Sequence, residues 1–194
     1  MRSPFFLALL VGCCAAATAP EWQVSLQRAV SLHQGGDLPG SSIHYSEALS
    51  LNPDLRRSWP VLTNYALSLQ SSAPAEAAEI FREVIKLAPG ADAYFNLGNA
   101  LVDAGEHVEA EEALVTCLQL NPTDAEAYYT LASARLQQLG GAEKTAAAVE
   151  AVRASIALEP ADGKAWVSLG DGCAPGLGSG LGSASGSGLG SSSG

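Results

Sequence analysis

Between residues 91 and 124 the apolar and small positions fall into two runs of helical period. Tyr94, Leu97, Gly98 and Leu101 recur at i, i+3, i+4 and i+7, which places them on one face of a helix. Ala110, Leu114 and Cys117 form a matching stripe on a second helix. Gly105 interrupts the chain between the two, and Pro122 ends the second because proline has no N–H to continue the ladder. Gly98 and Ala110 are small where two such helices would cross, which allows their backbones to approach closely. The pattern predicts a helix-turn-helix.

The same phrase recurs along the chain. Leu51-Asn52-Pro53, Leu87-Ala88-Pro89, Leu120-Asn121-Pro122 and Leu158-Glu159-Pro160 place prolines 36, 33 and 38 residues apart. An aromatic stands five or six residues after each, as Trp59, Tyr94, Tyr128 and Trp166, and a leucine three residues later, as Leu62, Leu97, Leu131 and Leu169. Gly98 and Gly170 directly follow two of those leucines. Units are expected at about 22–55, 56–90, 91–124 and 125–162, with a partial fifth at 163–173. The second carries about two extra residues near Ser71-Ser72. The fourth carries an excess of four around Gln137 to Thr145, close to one helical turn, which keeps its buried stripe in phase. A hairpin of this kind cannot bury its apolar stripe alone, so neighbours must stack.

Period and residue type together resemble the tetratricopeptide repeat family, whose signature is W-x2-L-G-x2-Y, then A-x3-F, then P. Residues 91–124 carry Tyr94, Leu97, Gly98, Leu101, Ala110, Leu114, Cys117 and Pro122 at those places, with Leu101 and Leu114 replacing the usual aromatics. The first unit lacks the front half of the signature but keeps Gly36-Asp37, Tyr45, Ala48 and Pro53. The second offers Trp59, Leu62, Ala77, Phe81 and Pro89, and the fourth Tyr128, Leu131, Ala148, Val152 and Pro160. The resemblance covers roughly residues 22–173. It implies an all-α, right-handed superhelical solenoid of about four units plus the partial fifth, with a concave face made mainly by the first helices.

The two ends have other characters. Arg2, the apolar run from Phe5 to Ala17 and the small pair Ala15 and Ala17 read as a signal peptide cleaved after Ala17. The run is too short to span a bilayer as a helix, which takes ~20 residues. A rival reading is that Leu10-Val11-Gly12-Cys13 resembles a bacterial lipobox, which would make the product a lipoprotein anchored through Cys13. Residues 174–194 use almost only Gly, Ser and a few Leu, the composition of a disordered tail. The expected location is the secretory pathway, lumenal or extracellular.

Composition narrows the function classes. The chain has 194 residues, 47% hydrophobic and 15% charged, enough apolar content to fold and too much to be wholly disordered. Its net charge of -10 argues against nucleic acid, whose sequence-independent binding depends on Lys and Arg neutralising phosphates. Cys117 and Cys173 lie far apart beyond the leader, so no disulfide framework or zinc spacing emerges. His33, His44 and His107 lack a second His at helical metal spacing, and one His with one carboxylate is too few ligands. Neither a catalytic triad motif nor a phosphate-binding glycine loop is present, so no catalytic residue, metal or cofactor is expected. The Glu109, Glu111 and Glu112 cluster reads as a solvated helix start that complements the helix dipole. Cys117 takes a repeat position filled elsewhere by Ala48 and Ser155, and reads as a small buried side chain.

A non-catalytic interaction scaffold is the expectation, holding a peptide or helix in the concave groove. The alternative is the repeat region of a larger enzyme: Asn96-Leu97-Gly98-Asn99-Ala100-Leu101 is similar to repeats of glycosyltransferases that carry such arrays beside a catalytic domain. The resemblance implies that positions six and nine of each first helix face the groove, which nominates Asn64, Asn96 and Asn99, with Arg57 and Asp103 nearby. Arg57 and Lys164 are offset by Asp92, Asp103 and Glu126, so tight binding of acidic chaperone tails by a carboxylate clamp is not expected. The incomplete unit leaves Trp166, Val167 and Leu169 without a second helix, which suggests self-association through Trp166.

Overall fold

A computed structural model describes residues 19–138 and 142–160. The expectations placed on residues 1–17, Lys164, Trp166, Cys173, the partial fifth unit and the Gly/Ser-rich end lie outside the described residues. Among the described residues the chain is all-α, with eight α-helices, one short 3-10 turn and no strand. It divides into two compact units, residues 1–68 and 69–194.

The first unit opens with α1 (Glu21–Gln34), α2 (Leu38–Leu51) and, after a 3-10 turn over Pro53–Arg57, α3 (Trp59–Leu69). The chain leaves α1 through Gly36 at φ 81°, a left-handed conformation that a Cβ would strain. That conformation lets the Asp37 N–H reach back to the Leu32 carbonyl at 2.9 Å, satisfying a helix-end acceptor. Asp37 then caps α2, its carboxylate accepting from the Gly40 N–H at 3.0 Å. Between α1 and α2 the buried Ser41 hydroxyl donates to the Ala29 carbonyl at 3.0 Å, so its burial costs no unsatisfied donor. Tyr45 is fully buried and meets the Tyr65 ring from α3 at 6.1 Å between centroids.

The aromatic of α3 departs from the repeat pattern. Tyr94 and Tyr128 each stand one turn inside their helices, whereas Trp59 is the first residue of α3 and 50% exposed. Pro60 explains the difference: it is tolerated in the first turn of a helix but not deeper, so α3 begins a turn late. The chain ahead of it is taken up by the 3-10 turn, capped by the Asn52 side chain accepting from the Asp54 N–H at 3.2 Å.

The second unit holds α4 (Pro74–Leu87), α5 (Ala91–Ala104), α6 (His107–Leu120), α7 (Ala125–Gln137) and α8 (Ala142–Leu158). Consecutive helices pack on one another from α4 to α8, and α7 also touches α5. Pro74 opens α4, and Gly105, again at φ 81°, closes α5 with the Glu106 N–H on the Leu101 carbonyl at 2.9 Å. Asp124 caps α7 through the Ala127 N–H at 2.9 Å. Ala77, Phe81, Val84, Leu97, Ala100, Leu101, Ala110, Leu114, Ala127, Leu131, Ala148 and Val152 form the core. Each large aliphatic or aromatic member contributes about 1.5–3 kcal/mol by leaving water. α5 and α6 approach closely at Gly98, where a Cβ would come within 2.6 Å of Leu114 Cγ. At 17 residues α8 exceeds α6 by three while α7, at 13, falls one short of α5, so half of the fourth unit's excess length is helix.

Candidate functional site

The residues nominated for a binding face are divided between the units. Asn96, Asn99 and Asp103 lie on α5 at i, i+3 and i+7, one side of that helix. Asn96 and Asn99 are half-buried, and neither side chain has a hydrogen-bond partner among the described residues. An amide so placed retains two donors and an acceptor for an arriving group. Asp103 is exposed, and its carboxylate accepts from the Gln70 amide at 2.9 Å, tying α5 to the residues that precede α4.

On α7, 34 residues after Asn96 and Asn99, stand Thr130 and Ser133, both half-buried. The repeat period was the signal that would have found them. Ser133 accepts from the Gln137 amide at 3.1 Å. Thr130 lies in a hollow of about 530 Å³ lined also by Thr123, Asp124, Ala125, Glu126, Tyr129 and Glu159. The hollow is polar and acidic, and one of its carboxylates, Asp124, is engaged as the cap of α7. On α5 and α7, which pack together, Asn96, Asn99, Thr130 and Ser133 are half-buried side chains with uncharged donors and acceptors, all within one unit.

Asn64 and Arg57 belong to the other unit. Asn64 is half-buried beside the Tyr45 hydroxyl. Burial pushes the Tyr45 phenol above its ordinary pKa and the Asn64 amide pulls it partly back, although no hydrogen bond of good geometry reaches the phenolic oxygen. Arg57 sits in the 3-10 turn, exposed, with Asp54 at 3.5 Å. Such a surface pair contributes little.

The acidic cluster at the start of α6 does more than complement a dipole. Glu111 accepts from Arg135 Nε at 2.7 Å, Gln138 Nε2 at 2.9 Å and Lys144 Nζ at 3.3 Å, joining α6 to α7 and α8. Lys144 also bonds the Gln138 side-chain carbonyl, and Arg135 donates to the Ala147 carbonyl at 3.1 Å. Burial raises the Glu111 carboxyl, but the hydrogen bonds from Arg135 and Gln138 outweigh it and hold the group below the usual carboxylate range. Glu109 meets Arg82 of α4 at 2.6 Å, and Arg82 meets Glu79 at the same distance. These carboxylates join helices.

Cys117 is fully buried, and burial, reinforced by Asp124 and Asp92, pushes its thiol up to about 11. A thiol so raised is a core side chain and a poor nucleophile. Among the described residues no group of three or more His, Cys, Asp or Glu is placed to hold a metal ion. No helix of the described residues is long and apolar enough to cross a membrane.

The Tetratricopeptide repeat family matches residues 91–124. Among solved structures, the chain is similar to MamA, with a TM-score of 0.65 at 23% identity over 78% of this chain and 80% of that one. It is similar to YrrB, described as a TPR protein with an unusual peptide-binding site, with a TM-score of 0.59 at 18% identity over 76% and 74%. A third likeness is to a K341M mutant of Thermobaculum terrenum O-GlcNAc transferase, with a TM-score of 0.52 at 24% identity, covering 69% of this chain and 26% of that one. No curated protein matches the chain by sequence.

Proposed function

The chain is a tetratricopeptide repeat protein, and we propose from that premise that it is a non-catalytic scaffold which binds an extended peptide or a helix of another protein on α5 and α7. The observation that carries the reading is the pair Asn96 and Asn99, half-buried amides with no partner among the described residues. Amides pair with the backbone of an extended segment whatever its side chains, so they suit a scaffold of broad partner choice. YrrB, which shares the fold, has a peptide-binding site by its description.

A partner recovered with the immobilised full chain should be titrated against Asn96→Ala and Asn99→Ala by calorimetry. Each substitution should weaken binding by ~0.5–1.5 kcal/mol, the net worth of a hydrogen bond, with melting temperature nearly unchanged. Unchanged affinity, or affinity lost only in step with melting temperature, returns the asparagines to a structural role.

The setting proposed for this scaffold is the secretory pathway, supported by the leader-like residues 1–17. The intact mass of the secreted chain distinguishes a start at Thr18 from a lipid-modified start at Cys13. Self-association through Trp166 belongs to the same proposal, and a Trp166→Ala chain that sediments like the parent rejects it.

The likeness to the O-GlcNAc transferase, which spans 26% of that chain, favours a second reading: a repeat region of a larger enzyme such as a glycosyltransferase. Sequencing the transcript past the codon for Gly194 separates the two, since a continued frame encoding a catalytic domain supports the second and an immediate stop the first.

A further inference from the structure

Ten Lys and Arg are spread along the chain, and only Arg56 and Arg57 are adjacent. Among the described residues they are also the only two outside an α-helix: Arg28 lies in α1, Arg82 and Lys86 in α4, Arg135 in α7, and Lys144 and Arg153 in α8. The pair sits in the 3-10 turn over Pro53–Arg57 that joins α2 to α3, and both residues are exposed. The Arg57 side chain is 85% exposed, with Asp54 at 3.5 Å.

We infer that the Arg57–Ser58 bond is a processing site for an endoproteinase that recognises paired basic residues. Such an enzyme holds the guanidinium ahead of the scissile bond against one carboxylate, and a second cation one residue earlier against another. Arg57 and Arg56 supply the two cations in that order. Asp54, three residues before Arg57, puts an anion where an enzyme requiring a further cation would seek it, so recognition rests on the pair. In the reaction water adds across the amide. The Arg57 carbonyl carbon takes the hydroxyl group, the Ser58 nitrogen takes the proton, and nothing is oxidised.

Backbone geometry decides whether an enzyme can close on the bond. The cut segment must be drawn out over several residues, which the interior of an α-helix resists through its hydrogen-bond ladder. Ser58 is already extended, at φ −95° and ψ 96°, and so is Asn52 at the other end of the turn. Between them the 3-10 hydrogen bonds have the poorer geometry of that helix type, and no residue of the turn is buried. Unwinding it therefore takes no side chain out of the core. A cut after Arg82 or Arg135 instead opens a helix carrying Phe81 or Ala134, both fully buried. After hydrolysis at Arg57, α1 and α2 are held to α3 by noncovalent contacts alone, the Tyr45 and Tyr65 rings among them, so the first unit becomes separable. That such an enzyme meets the chain rests on the secretory setting proposed above; that the bond is open to it does not.

Digestion of the purified full chain by a dibasic-specific endoproteinase, with trypsin in parallel and fragments read by intact mass, tests the inference. The dibasic enzyme should cut first between Arg57 and Ser58, at least about tenfold faster than at any other bond. Arg57→Gln should abolish that cut for both enzymes. Arg56→Gln should slow the dibasic enzyme at least about tenfold yet leave trypsin cutting after Arg57, a split that a loss of folding would not produce. A free peptide of residues 51–62 sets the rate for an open chain. A parent cut more than about a thousandfold slower than this peptide, or cut first elsewhere by the dibasic enzyme, overturns the inference. Coexpression with that enzyme in a secreting cell supplies the second arm: a fragment beginning at Ser58 supports processing, and a chain exported intact overturns it. A chain that is not exported overturns the setting and not the site, which the digestion has by then decided.

Discussion

At Gly98 a single hydrogen atom decides how closely two helices pass. A Cβ there would lie 2.6 Å from Cγ and 2.7 Å from Cδ2 of Leu114, itself fully buried. Neither group has room to give way, so Gly98→Ala should destabilise the protein by ~1–3 kcal/mol despite alanine's better helix propensity. Urea denaturation followed by circular dichroism measures it, and a neutral or stabilising substitution would show that the crossing is looser than described. This contact was legible in the sequence, since Gly98 and Ala110 stand out as small residues within two apolar stripes. The burial of Cys117 was legible for the same reason. Trp59 was not, because its match to the aromatic position is correct in spacing while its exposure depends on Pro60 one residue later. Both residues were in view; the weight of the proline against the repeat pattern was not.

Among elements, the turns and stops were the most readable. Gly36 and Gly105 adopt the same left-handed φ of 81° at the ends of α1 and α5, and prolines follow the ends of α2, α4, α6 and α8. What joins one helix to the next was harder, because polar partners distant in sequence carry no periodic signal. Glu111 reads as one of three acidic residues at a helix start, yet it gathers Arg135, Gln138 and Lys144 from later elements. Its folded-state pKa is lowered, so its contribution is present above the unfolded value of ~4.3 and is lost as pH falls through the folded value. The parent should therefore lose melting temperature more steeply than Glu111→Gln below about pH 4.3. At neutral pH the variant should be less stable by about 1 kcal/mol, a modest figure because Arg135 and Glu111 are 21% and 24% exposed. Parallel pH profiles of the two chains would reject this role for Glu111.

For the molecule as a whole, the all-α repeat fold followed from spacing, since four prolines, four aromatics and four leucines in phase leave few other architectures. The candidate site was less accessible. Position in the repeat nominated Asn96 and Asn99, and the same period extended to α7 leads to Thr130 and Ser133, but it does not report which neighbours already occupy a side chain. Asp103 is engaged by Gln70, and Arg57 stands beside Asp54 in a turn that the repeat pattern does not contain. Those pairings depend on the lengths and ends of individual helices, which the period averages away.

The buried thiol of Cys117 gives the fold a built-in clock. A group whose pKa is pushed up to about 11 and whose side chain is sealed from solvent reacts with an alkylating reagent only when the surrounding helices part. With excess iodoacetamide at low concentration, the rate of modification should follow the equilibrium between closed and open forms; at high concentration it should level off at the opening rate. Mass-spectrometric mapping of the peptide containing Cys117 reads that rate directly. Gly98→Ala should speed low-concentration labelling about 5- to 150-fold, the equilibrium counterpart of its ~1–3 kcal/mol cost. A labelling rate that ignores this substitution would mean that reagent reaches the thiol by a local path, without the helices separating.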